Sequence, residues 1–216
     1  SDLPIAQTSS DADAPRRNEE VEQRVILDIT RAYRLLASGD YEQASSVAWT
    51  AAGVAKLSGA RQSWTEALWL HGVLSEHQQE YVKAESAFHH LLVAALEQRQ
   101  DRLAVMACTS LARTVGQGLH RLDEAKRFTE FGQALLLRIG QPLLLGIELD
   151  LVRGTLLQMS GDHRSALSLH LRALDGLKKA HGSDSVELLG AMRQIASDYR
   201  ALAEFSSAEQ WFQDAH

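Results

Sequence analysis

The sequence predicts an all-α solenoid of about five helical hairpins, and three observations predict it. One six-residue phrase recurs: "GDYEQA" (39–44), "QEYVKA" (79–84), "HRLDEA" (120–125), "GDHRSA" (161–166) and "AEFSSA" (203–208). Its closing alanines, Ala44, Ala84, Ala125, Ala166 and Ala208, are separated by 40, 41, 41 and 42 residues, a fixed period of the solenoid kind. The composition favours helix formers, holds only three prolines, and lacks the period-two alternation of strands.

Residues 1–17, "SDLPIAQTSSDADAPRR", carry no helical apolar stripe and read as a linker or tail. Helices are then expected at about 18–37, 41–57, 62–77, 81–97, 101–117, 121–139, 142–159, 163–180, 185–202 and 206–216. They group into repeats at about 18–59, 60–100, 101–141, 142–183 and 184–216. Twelve residues before four of the closing alanines stands a second small residue, Ala32, Gly72, Gly154 or Ala196. Before Ala125 it is Ala112, thirteen back, and the two glycines of "TVGQGLH" (114–120) can take the extra residue as a bulge or longer turn. Two small residues per unit let antiparallel helices approach closely. Gly39 and Gly161 can end one helix at positive φ, and Asp40 and Asp162 can cap the next. Tyr41, Tyr81, Leu122 and Phe205 come next and can staple the turn to the core, with His163 in that slot of the fourth unit. No polar capping helix follows 206–216, so the natural chain is expected to continue.

Bulk properties exclude several function classes. The net charge of −6 argues against a nucleic-acid binder, which usually shows a basic stripe. One cysteine, Cys108, permits no internal disulfide and fits a reducing, cytoplasmic setting. The longest apolar run, "ALLLRIGQPLLLGI" (134–147), is broken by Arg138, Gly140, Gln141 and Pro142, too short a stretch to span a membrane.

The pattern resembles the tetratricopeptide repeat over residues 18–216: a small residue, then "G-D-Y-x-x-A", then an aromatic slot four residues after the alanine. That slot holds Ala48, Phe88, Phe128 or its neighbours, His170 and Phe212, and a further small or apolar residue follows at Ala51, Leu91, Ala173 and Ala215. The 42-residue step looks like the longer, kinesin-light-chain type of repeat. "RAYRLLASGDYEQASSVA", "EALWLHGVL", "ACTSLARTVGQGLHRLDEA" and "LHLRALDGLKKAHGSDSVEL" also resemble the region after the catalytic domain of large bacterial serine/threonine kinases, of the kind abundant in myxobacteria. The resemblance implies a right-handed superhelical array that binds a protein or peptide in its concave groove. Regulation of a parent kinase in cis, or small-molecule sensing in a central pocket, are the other functions it allows.

No motif carries chemistry. The sequence has no Gly-rich nucleotide loop, H-R-D-L-x-x-x-N, D-F-G, Walker A, GxSxG or HExxH. No catalytic residue, metal or cofactor is therefore expected for this segment. His163 and His170 share one helix face and His89–His90 are adjacent, but metal sites need ligands converging from several elements. His170 is expected to fill its aromatic slot, and the other histidines to lie at surfaces or turns. Cys108 reads as a buried inert thiol, and Trp49, Trp64 and Trp211 as core.

By the same resemblance, the groove is lined by the first helix of each hairpin. The positions are Ile26, Ile29, Tyr33 and Leu36; Glu66, Trp69, Val73, Glu76 and His77; Met106, Thr109, Arg113 and Gln117; Glu148, Leu151, Thr155, Gln158 and Met159; and Arg193, Ser197, Arg200 and Ala201. Trp69, Val73, His77, Arg113, Gln117, Gln158, Arg193 and Arg200 are the expected partner-binding residues. The arginines can hold carboxylates and Trp69 with Val73 an apolar anchor, so an acidic segment with one hydrophobic residue fits. Alternatively, residues 1–17 or an upstream domain cover the apolar end, and the arginines pair with Glu148 or Asp198.

Overall fold

The computed structural model describes residues 14–214, with side chains from residue 19 onward. Among them the chain forms ten α-helices and no strand: α1 Ala14–Ala37, α2 Tyr41–Ser58, α3 Arg61–His77, α4 Tyr81–Glu97, α5 Asp101–Arg113, α6 Leu122–Arg138, α7 Leu143–Met159, α8 His163–His181, α9 Leu188–Ala201 and α10 Phe205–Asp214. A π-helical turn, Thr114–Gly118, extends α5. The expected helices are all present, within a few residues at each end. The start differs: α1 begins at Ala14, so residues 14–17 are helix rather than tail. Pro15 sits in the first turn, where a missing N–H costs no intrahelical bond. The rest of the expected tail, residues 1–13, lies outside the described residues, as do Ala215 and His216.

The chain divides at Glu80/Tyr81 into two compact units, α1 to α3 and α4 to α10. In the first, α1 packs on α2 and α2 on α3. In the second, α5–α6, α7–α8 and α9–α10 form hairpins, each packed on the next.

The recurring phrase is a turn, and its geometry recurs with it. Positive φ falls five residues before each closing alanine: Gly39 (82°), Gln79 (61°), His120 (58°), Gly161 (85°) and Ala203 (62°). The next N–H donates back into the preceding helix, as in Asp40 N to Leu35 O (2.9 Å) and Asp162 N to Leu157 O (2.9 Å). The carboxylates of Asp40 and Asp162 then accept from the Gln43 and Ser165 amides. In the third turn the return bond runs from Arg121 N to Val115 O, one residue longer. The extra residue between Ala112 and Ala125 is thus absorbed as the π-helical turn. Glycine is required there, since a Cβ on Gly116 would strike Leu156 and Ala125, and one on Gly118 the ring of Tyr81.

The small residues are where the helices touch. Ala32, Ala112, Ala196 and all five closing alanines are buried. Gly154 of α7 lies against the His170 ring of α8, where a Cβ would collide with it. Three staples form: Tyr41 packs its ring on His77 (centroids 4.2 Å apart), Tyr81 lies on Gly118, and Leu122 joins the core of Val115, Val152 and Leu156. Phe205 does not form one and stays 66% exposed. The other three are covered by the hairpin that follows them, and no described element follows α10.

Candidate binding face

In the second unit, α5 lies beside α7 and α7 beside α9, so the first helices share a face. Arg113 on α5 donates to the Ser110 hydroxyl (3.3 Å) and stands near Glu148 of α7. Glu148 still reaches solvent, but partial desolvation raises its carboxyl above the ordinary carboxylate range, and the charge of Arg113 pulls the other way. Gln117 lies within the π-helical turn, half-buried. Arg193 and Arg200 lie seven residues apart on α9, two turns along one side. Both are exposed, and neither forms a hydrogen bond or ion pair with a described residue. Thr109 differs from expectation: it is buried and donates to Val105 O on its own helix.

Gln158 is turned into a network that the sequence did not announce. Its amide donates to Oδ1 of Asp198 (2.9 Å) on α9, and Nδ1 of His170 on α8 donates to Oδ2 (2.6 Å). Asp198 and His170 are fully buried. His163 Nδ1 stands 4.0 Å from Asp198, and His170 Nε2 has no partner where it meets Gly154. Asp198 therefore pairs with a histidine, and not with the arginines.

In the first unit, Trp69 and Val73 are half-buried on α3, and exposed His77 rests on Tyr41. Tyr33 of α1 faces Glu66 of α3, and burial, then that carboxylate's charge, push its phenol up. Ile29, expected on this face, is only 4% exposed, because it continues the core stripe of Val25 and Ala32. Trp49 also differs from the core position expected of it: it is 47% exposed, with one side against His71 (centroids 4.9 Å). His71 in turn is buried rather than at a surface or turn, its Nδ1 near the Ser45 hydroxyl (2.9 Å) and carbonyl (3.0 Å). The eight expected binding residues thus fall into two sets, Trp69, Val73 and His77 in one unit and the other five in the second.

Burial pushes the Cys108 thiol up to about 12, so little nucleophilic thiolate forms. Among the described residues no group of three or more His, Cys, Asp or Glu could hold a metal ion. No described helix is long and apolar enough to cross a membrane.

No curated relative matches the sequence. Residues 148–216 match the family model of the tetratricopeptide repeat. Solved structures match over more of the chain. BtubC (BKLC) from P. vanneervenii is 19% identical with a TM-score of 0.70, covering 94% of this chain and 87% of its own. A kinesin-light-chain-like protein of Podospora anserina with nearly identical TPR-like repeats is 14% identical with a TM-score of 0.67, covering 90% of this chain and 94% of its own. The apo quorum sensor NprR from B. thuringiensis is 13% identical with a TM-score of 0.70, covering 94% of this chain and 56% of its own. Residues 148–216 are thus similar to the tetratricopeptide repeat, and the chain as a whole has an all-α helical-repeat fold similar to that of these solved structures.

Proposed function

We propose that this chain is a non-catalytic interaction module that binds a protein or peptide segment on its first-helix face. The observation that carries the reading is the pair Arg193 and Arg200, exposed, on one side of α9 and unpaired within the described protein. Guanidinium groups without internal partners are donors left for a ligand's carboxylates. The net charge of −6 makes a local arginine pair a poor handle for nucleic acid and a selective one for a short acidic stretch. A repeat array suits this role because stacked hairpins present an extended row of side chains.

Panning a random peptide library tests the reading, with the Arg193→Ala/Arg200→Ala variant as counter-selection. Enrichment of acidic peptides by the wild type and not by the variant is expected, once circular dichroism shows the variant equally helical. Equal enrichment by both, or enrichment of basic peptides, would reject the face as drawn. If no peptide is enriched, the free-segment reading fails, and a contact of this face within a larger parent chain becomes the reading to pursue.

A further inference from the structure

We propose that the α9–α10 hairpin is a latched unit. The buried set of Asp198, His170 and Gln158 holds it to α7–α8, and loss of that pairing lets it open while the rest of the second unit stays folded. The argument starts from equivalent positions. Ten residues before the closing alanine stand Leu74, Val115 and Leu156, all buried, but in the last hairpin Asp198; the first hairpin has exposed Arg34 there, with no described hairpin before it. Four residues after the closing alanine stand Ala48, Phe88 and Thr129, but in the fourth hairpin His170. These two slots meet across a joint: Leu74 and Ala48 share one core cluster, and Asp198 bonds His170 at 2.6 Å. At this joint both slots are polar and bonded to each other, whereas the hydroxyl of Thr129 donates within its own helix to Lys126 O, so the contact at this joint depends on a partner.

A buried carboxylate is tolerated only with its donors in place. Asp198 has two, one on each helix of the preceding hairpin: Gln158 on α7 and His170 on α8. Removing either leaves charged or polar atoms in a dry joint, and hydration of those atoms favours separation. The near half of the joint is apolar, through Leu188, Ala191 and Ile195 against Ile147, Leu174 and Leu177, and resists it. The latch thus sets how often the far half opens. Opening also carries Arg193 and Arg200 away from α7, so the latch controls whether that face is assembled. This last clause rests on the proposed function, whereas the opening itself does not.

Hydrogen exchange read by mass spectrometry on the full chain tests the latch. Three proteins are compared: wild type, Asp198→Asn, and His170→Phe/Asp198→Val, which installs the residue types that Phe88 and Val115 bring to the same two slots. In Asp198→Asn the amides of 188–214 are expected to exchange roughly tenfold faster or more. Those of 101–138 should keep the wild-type rate, and the double variant should return 188–214 to it. Unchanged exchange in Asp198→Asn would overturn the latch. So would a uniform rise across 81–214, or a double variant as open as the single one. None of these outcomes depends on whether a peptide binds, so the latch and the binding face fail separately.

Discussion

Ala203 holds φ at 62°, the place that Gly39 and Gly161 fill in their own turns. A Cβ is disfavoured in that left-handed conformation by about 1–2 kcal/mol, and glycine is not. Ala203→Gly is therefore expected to stabilise the chain by about 1 kcal/mol, read as a rise in the urea midpoint. An unchanged or lower midpoint would contradict the turn geometry. The sequence shows this position clearly at Gly39 and Gly161. It hides it at Gln79, His120 and Ala203, where only the spacing to the closing alanine betrays it. Glu148 gives a second residue-scale test. Its folded value is raised, so the folded state holds this proton more tightly than the unfolded chain. The ionised carboxylate then costs stability above the folded value, and the cost vanishes below the ordinary carboxylate range. Glu148→Gln should accordingly stabilise at neutral pH and do nothing in acid, by urea denaturation at both. Stabilisation in acid alone would reverse the sign and reject the cause.

At the scale of helices, the small residues decide how closely a pair can pack. A Cβ on Gly154 would fall on the His170 ring, which is fully buried and tied to Asp198. Gly154→Ala should cost about 1–3 kcal/mol despite the better helix propensity of alanine, because overpacking here displaces a bonded ring. A calorimetric scan showing no loss would mean that the hairpin can spread without penalty. The position of Gly154 was legible, since a small residue recurs twelve before the closing alanine. The π-helical turn was half legible: Ala112 lies thirteen back and two glycines follow, but the longer return bond from Arg121 to Val115 is a matter of backbone geometry. The His170–Asp198 pair escaped a slot-by-slot reading. Each residue looks like a single degenerate copy of its own position, and the signal emerges only when two slots in different hairpins are compared. Phe205 failed as a staple for a related reason, since a side chain becomes core only where another element covers it.

Across the whole chain, stability is expected to be distributed by unit. In repeat arrays each element contacts only its neighbours, so cooperativity is set by joints rather than by one shared core. The division at Glu80/Tyr81 separates α1–α3 from α4–α10, and the tryptophans report on them unequally. Trp49, Trp64 and Trp69 lie in the first unit, and Trp211 alone lies in the second, packed on the core of the last joint. Tryptophan emission therefore follows mainly the first unit, whereas far-ultraviolet circular dichroism weighs every helix. Urea unfolding should give two curves that do not superimpose. Replacing Trp211 by Phe should leave the emission midpoint in place, because the first unit dominates that signal. Coincident curves, unmoved by changes in either unit, would instead require the units to unfold as one.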